Sequence, residues 1–179
     1  ARSNSGNMFA ALLANVLNGG QTLTQENLQT ILPQLQDIFG KLGYMETSSS
    51  DLFSQFLRMG IGAKPVIAGY ESQLIEYAAL YPDQYETMKD DIVMLYPTPT
   101  VWSTHVFIAL DADGQVLLNG LLDEDIQRLA WEKHGFRTGN YATVSESSSL
   151  NARGVADTIT QVTQVPSYDV MKVIIEELQ

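Results

Sequence analysis

An α/β fold is predicted by three observations on the order of apolar residues along the 179-residue chain. Segments with apolar side chains at three- and four-residue spacing predict amphipathic helices. Short apolar runs bounded by Gly and Pro lie between these segments and predict buried strands. The two patterns alternate without an internal repeat, and the length favours one domain, with room for two lobes.

Helical spacing marks several segments of the chain. The first covers residues 8–17, after Ser3 and Ser5, either of which can cap a helix. The second covers residues 28–42 and contains Pro33, which is expected to kink or divide it. Weaker or shorter helical patterns follow at residues 52–57, 74–80 and 115–122, before His134, near residues 152–162, and at residues 170–178.

Three short apolar runs predict the strands. Residues 65–70 form a run bounded by Gly and Pro, and residues 92–96 form a second one. The third and longest run, residues 101–110, follows the Pro-rich segment of residues 97–100. Since Pro favours extended backbone and resists helix, this third run is predicted to be a long buried strand.

Composition excludes several classes of function. The formal net charge is −11 and the ten Lys and Arg residues do not cluster, so no nucleic acid partner is expected, because phosphate neutralisation needs a basic face. The chain has no Cys, which excludes disulfides and thiolate chemistry. No apolar run reaches the roughly 20 residues that a membrane-spanning helix needs.

The segment RSNSG, residues 2–6, precedes the first predicted helix and is a candidate anion or carboxylate site. Backbone N–H groups at the helix N-terminus, the hydroxyls of Ser3 and Ser5 and the guanidinium of Arg2 could bind such a ligand together. The alternative is a Ser cap beside a solvated Arg. Both interpretations stay open at the level of the sequence.

Tyr70, Glu71 and Ser72 lie where a predicted strand meets a predicted helix, the place where open α/β sheets bind ligands. Tyr70 could form a wall of a cleft and Ser72 could donate to a ligand. Alternatively, Tyr70 packs in the core while Glu71 and Ser72 cap the helix.

Thr98, Thr100 and Trp102 lie on the Pro-rich segment and the long strand, and they are further candidates for ligand binding. Trp102 could line a cleft or fill the core. His105 and His134 lack a third ligand nearby in sequence, so neither a metal nor a cofactor is expected. No nucleophile motif with its base is present, and the chain is predicted not to be an enzyme.

Three longer stretches, taken in order, carry a resemblance to a known family. They are residues 48–78, with GYES after a strand, residues 91–110, with YPTPT before a long strand, and residues 121–139, with a helix that ends in HGFR. Together they resemble the later half of a bacterial extracellular solute-binding protein of the type 2 periplasmic fold. That resemblance implies a three-layer α/β lobe.

The resemblance also implies an arrangement of segments. Residues 1–96 would form the second lobe, residues 97–110 the hinge strand, and residues 111–179 the segment that returns to the first lobe. The first lobe itself is expected upstream of Ala1. Without it, the fragment is expected to bind solute weakly and to expose or self-associate through an apolar patch, with residues 2–6 facing residues 69–72.

The function implied by the resemblance is binding of a small or anionic solute at an interlobe cleft. The partner would be an ABC transporter permease or a signalling protein, and the location periplasmic or extracellular, with a lipoprotein anchor in the parent. The alternative is a surface interaction or adhesion module on the same fold that has lost small-ligand binding.

Overall fold

The computed structural model describes residues 3–43, 46–59, 64–139 and 152–178, and within them it is a helical protein. The chain divides into two compact units. Unit 1 comprises the described parts of Ala1–Gly69, Pro97–Ser103 and Gln161–Gln179, and unit 2 those of Tyr70–Tyr96 and Thr104–Thr160. The eight helices of the described residues are α1 (Asn4–Leu17), α2 (Gln25–Lys41), α3 (Ser49–Met59), α4 (Glu71–Leu80), α5 (Pro82–Met88), α6 (Ala112–Leu121), α7 (Glu124–His134) and α8 (Tyr168–Glu177).

Unit 1 is built on the packing of α1, α2 and α8. Each of these helices has an apolar stripe at three- and four-residue spacing, and the three stripes meet in one core. The rings of Phe9 and Phe39 contribute at a centroid distance of 5.8 Å. The buried members of this core are Ala10, Ala14, Leu23, Leu28, Ile31, Leu35, Phe39, Val170 and Ile174.

Local signals explain where the helices of unit 1 begin. The side chain of Ser3 accepts a hydrogen bond from the backbone N–H of Gly6 at 3.1 Å, which is an N-cap interaction and favours the start of α1. Pro33 lies inside α2, yet the helix is continuous from Gln25 to Lys41. Of the two alternatives at Pro33, division of the helix is therefore wrong, and a kink stays a prediction.

Unit 2 is built on α4 and α7, with α5 and α6 beside them. Leu74, Ile75 and Ala78 of α4 and Trp131 of α7 are buried. The helix α7 ends at Gly135 with φ of 66°, a left-handed conformation that favours glycine. A Cβ at Gly135 would lie 2.8 Å from the Cα of Ser72, so α4 and α7 approach closely only because this residue has no side chain.

The predicted α/β class is wrong. A type 2 periplasmic fold needs an α/β sheet core, whereas the described residues contain no sheet and only one isolated parallel bridge, between Thr100 and Val162. Residues 65–70, 92–96 and 101–110, which were predicted as strands, have no regular secondary structure and do not pair with one another. A strand exists only with a neighbouring strand about 4.8 Å away, and apolar composition does not show whether such a neighbour is present. The resemblance to the solute-binding proteins is therefore wrong as well, because their fold needs such a sheet.

Two smaller predictions also differ from the structure. The weak helical pattern near residues 152–162 is wrong, since this segment consists of turns and extended backbone. The helix α5 was missed because Tyr81-Pro82 was not recognised as a start signal, although Pro is well tolerated in the first turn of a helix.

Candidate functional site

A groove of about 300 Å³ in unit 1 is the candidate site. Three segments line it: the turn after α1, the cis Thr98–Pro99 peptide, and an extended segment before α8. None of its lining residues carries an ionisable side chain. They are Gly20, Gln21, Thr22, Pro99, Gln161, Val162, Thr163 and Gln164.

The completely buried Asn15 of α1 holds two of these segments together. Its side-chain Nδ2 donates to Thr163 Oγ1 at 3.2 Å and to the backbone oxygen of Gln164 at 2.8 Å. Its Oδ1 accepts from the backbone N–H of Leu23 at 2.8 Å, just after the turn. A buried amide with three such partners is satisfied, and it holds the turn before α2 and the segment before α8 in place.

Thr100 joins the segment that contains the cis Thr98–Pro99 peptide to the segment before α8. The backbone N–H of Thr100 donates to the oxygen of Gln161 at 3.0 Å, and the N–H of Thr163 donates to the oxygen of Thr100 at 2.8 Å. The hydroxyls of Thr22 and Thr163 lie 3.2 Å apart in the groove. The groove therefore presents hydroxyl and amide groups on a frame that backbone hydrogen bonds define.

The candidate residues Thr98, Thr100 and Trp102 belong to this unit. Thr98 is exposed and precedes the lining residue Pro99 in sequence. The backbone of Thr100 forms hydrogen bonds with Gln161 and Thr163. Trp102 is 41% exposed. Thr98 and Thr100 flank the lining residue Pro99 but do not line the groove themselves, and the role of all three in ligand binding stays a prediction.

For the segment of residues 2–6, the structure favours the cap interpretation at Ser3, whose hydroxyl oxygen accepts from Gly6 N–H. Ser5 lies in the first turn of α1 and is half-buried. Arg2 lies outside the described residues. Because Ser3 and Ser5 belong to unit 1, and Tyr70, Glu71 and Ser72 to unit 2, their predicted convergence stays untested.

In unit 2 the carboxylate of Glu71 accepts hydrogen bonds from a buried arginine. Arg137 Nε lies 2.6 Å from Glu71 Oε1 and Nη2 lies 3.0 Å from Oε2, a bidentate pair with side-chain exposures of 4% and 15%. The guanidinium also lies 5.0 Å from the ring centroid of Trp131 and donates to the backbone oxygen of Ala156. This arrangement joins the start of α4 to the segment after α7.

Tyr96 completes this network. Its hydroxyl donates to Glu71 Oε2 at 2.6 Å and accepts from the backbone N–H of Ala156 at 3.2 Å. Burial, and then the hydrogen bond to the Glu71 carboxylate, raise the pKa of Tyr96 to about 12. Burial alone would lower the pKa of Arg137, but the hydrogen bond and the charge of Glu71 raise it.

The two neighbours of Glu71 in the candidate motif have local structural contacts. The backbone N–H of Tyr70, the N-cap residue of α4, donates to Gln73 Oε1 at 3.0 Å. Ser72 lies against Gly135, where α4 and α7 approach. These contacts agree with the capping alternative for the motif, and ligand binding by it stays a prediction.

The described part of the chain contains no group of three or more His, Asp or Glu residues that could hold a metal ion. Nor is any helix in that part long and apolar enough to cross a membrane.

Sequence reasoning missed Asn15, Thr22 and Thr163. For Asn15 a signal was present in the sequence, because this polar residue lies next to Ala14 within the apolar stripe of a predicted helix. A polar side chain at such a position needs a buried hydrogen-bond partner. No signal pointed to Thr22 or Thr163, since only the fold brings residues 141 positions apart together.

Comparison of the chain with family models, curated proteins and solved structures finds no match. The groove in unit 1 and the ion-pair network in unit 2 are therefore interpreted from their own chemistry.

Proposed function

We propose that the chain binds a small neutral solute rich in hydroxyl or amide groups, without transforming it. The single observation that carries this proposal is the groove of unit 1, whose eight lining residues offer neutral donors and acceptors only. An ionic ligand would lose its hydration there without gaining a counter-charge. A neutral polar ligand can exchange its water hydrogen bonds for those of Thr and Gln side chains.

Binding without catalysis follows from the same lining. A threonine hydroxyl acts as a nucleophile only beside a general base, and none of the residues that line the groove is a His, Asp, Glu or Lys. Transport of the solute, an ABC transporter partner and an extracellular location rested on the resemblance to solute-binding proteins, and they are not part of this proposal.

Isothermal titration of the full chain with neutral sugars and polyols tests the proposal. Glutamate, arginine and inorganic phosphate are the ionic comparisons. We expect saturable binding of at least one neutral compound and none of the ionic ones. Preferential binding of an ionic compound would contradict the proposed ligand class.

A matched pair of variants locates the site. Gln161→Ala removes an exposed amide from the groove but keeps the backbone oxygen that Thr100 N–H donates to. We expect it to weaken binding about fivefold, which corresponds to one hydrogen bond of about 1 kcal/mol. Gln29→Ala removes another exposed amide, which belongs to α2 and does not line the groove, and serves as the control. Equal affinities in the two variants would place the solute elsewhere.

A further inference from the structure

Val162 lines the groove and carries a backbone donor and a backbone acceptor that the described chain leaves unpaired. It faces Thr100 in the isolated parallel bridge, but the hydrogen bonds of that bridge belong to its neighbours. The N–H of Thr100 donates to the oxygen of Gln161, and the N–H of Thr163 donates to the oxygen of Thr100. The N–H and C=O of Val162 itself therefore point away from Thr100, to the opposite edge of the segment.

Val162 differs in this respect from the rest of the lining. Each of the other lining residues either uses one of its backbone groups in a hydrogen bond within unit 1 or, as Pro99, has no N–H to donate. Val162 is also 39% exposed. An exposed residue with both backbone groups unpaired is what an edge strand offers to an added strand.

The spacing of these two groups selects a class of ligand. The N–H and C=O of one residue belong to two successive peptide groups, and one residue of an antiparallel extended chain presents an acceptor and a donor at the matching separation. A single amide, as in an N-acetylated sugar, is planar with its N–H and C=O on opposite sides, so it can pair with only one of the two groups. The hydroxyls of a polyol donate and accept, but they rotate and fix no such spacing.

We infer that the groove binds a short uncharged stretch of peptide, one residue of which exchanges two backbone hydrogen bonds with Val162. This inference rests on the proposed function and narrows its class of ligand from neutral polar solutes to peptides. The volume of about 300 Å³ is at the lower end of the range for ligand sites, so it suits a few residues and not a long strand. Because no lining side chain is ionisable, the charged ends of a peptide must lie outside the groove or be blocked.

A series of ligands tests the inference on the unaltered chain. N-acetylglycine N-methylamide has two peptide groups around one residue. N-acetylsarcosine N-methylamide is the same compound with a methyl group in place of the N–H that would donate to the oxygen of Val162. In NMR titrations of the full chain, we expect saturable binding of the glycine compound, with protection of the Val162 amide from hydrogen exchange. The sarcosine compound should bind at least about fivefold more weakly, which corresponds to one lost hydrogen bond.

A matched pair of variants locates the contact. Val162→Pro removes the N–H donor but keeps the oxygen of Gln161 and the N–H of Thr163, which bind Thr100. Val165→Pro is the control, because Val165 lies in the same segment at a similar exposure of 38% but does not line the groove. Affinity for the glycine compound should fall at least about fivefold in the first variant and stay unchanged in the second. Circular dichroism checks that both variants fold, and the ligand series does not depend on either of them.

The outcomes separate this inference from the proposed function. N-acetylglucosamine, which has one amide and several hydroxyls, is the comparison among neutral compounds. Its binding in preference to the glycine compound, equal binding of the glycine and sarcosine compounds, or equal affinities of the two variants would each overturn the inference and leave the proposed function in place. If no neutral compound binds, the proposed function is wrong and the inference with it.

Discussion

Unit 1 and unit 2 bury their interiors in different ways. In unit 1, apolar stripes of three helices cover one another, and the one completely buried polar side chain of the described residues, Asn15, has its partners in neutral groups. In unit 2, a buried ion pair joins the start of α4 to the segment after α7, while Val106, Ile108 and Leu110 face solvent. Helices with matching stripes cover their own apolar residues, whereas extended apolar segments need another strand.

The largest decrease in the free energy of unfolding is expected from Arg137→Met in unit 2. The substitution keeps the side-chain volume but leaves the carboxylate of Glu71 buried without its cation, which should lower the free energy of unfolding by about 3 kcal/mol. Urea unfolding followed by the fluorescence of Trp131, in a Trp102→Phe background, measures the change.

The control for this prediction is the double substitution Arg137→Met with Glu71→Gln. It removes both charges and should recover part of the lost stability. If the Arg137→Met variant is as stable as the parent, the ion pair does not stabilise unit 2. The proposed difference between the interiors of the two units would then be wrong.

The second effect concerns unit 1, where Asn15→Ala should lower the free energy of unfolding by about 2 kcal/mol. The buried N–H of Leu23 loses its acceptor, and Thr163 and Gln164 lose a donor. Thermal unfolding by circular dichroism measures the change, with Asn27→Ala on the exposed first turn of α2 as the control. Equal losses in the two variants would show that the amide of Asn15 does not fix the groove.

How much of this could be predicted from sequence differs between the two units. In unit 1 the stripes of α1, α2 and α8 follow from residue spacing, because each helix carries its own periodic signal, while the choice of Ser3 over Ser5 as the cap needed the structure. In unit 2 the pairing of Glu71 with Arg137, 66 residues away, has no such signal. Residues 65–70, 92–96 and 101–110 were wrongly predicted as strands, because the apolar composition of a short segment shows neither that it is buried nor that it has a partner strand.

The third prediction concerns the helix starts of unit 1 and compares two serines. Ser3→Ala removes the acceptor for Gly6 N–H and should cost about 1 kcal/mol. Ser167 occupies the N-cap position of α8 without a side-chain cap hydrogen bond, so Ser167→Ala should change stability little. Parallel thermal melts measure the difference, and an equal cost would show that the Ser3 cap contributes nothing specific.

The smallest effect is expected at alkaline pH and belongs to unit 2. The pKa of Tyr96 is raised from 10.0 to about 12 in the folded chain, so folding favours its neutral form. This contribution is fully present below pH 10 and is lost as the pH rises towards 12. Urea unfolding should show a decline in that range which is shallower for Tyr96→Phe. Identical pH profiles would indicate that Tyr96 ionises as freely in the folded chain as in the unfolded one.

The contacts of Asn15 also bear on when unit 1 can fold. Its amide meets Thr163 across 148 positions of chain, and α8 supplies Val170 and Ile174 to the core later still. During synthesis α1 and α2 can pair as a helical hairpin, but their shared apolar face stays open until the residues of α8 have also been made. Contacts of such long sequence separation slow folding, so unit 1 begins first and finishes last.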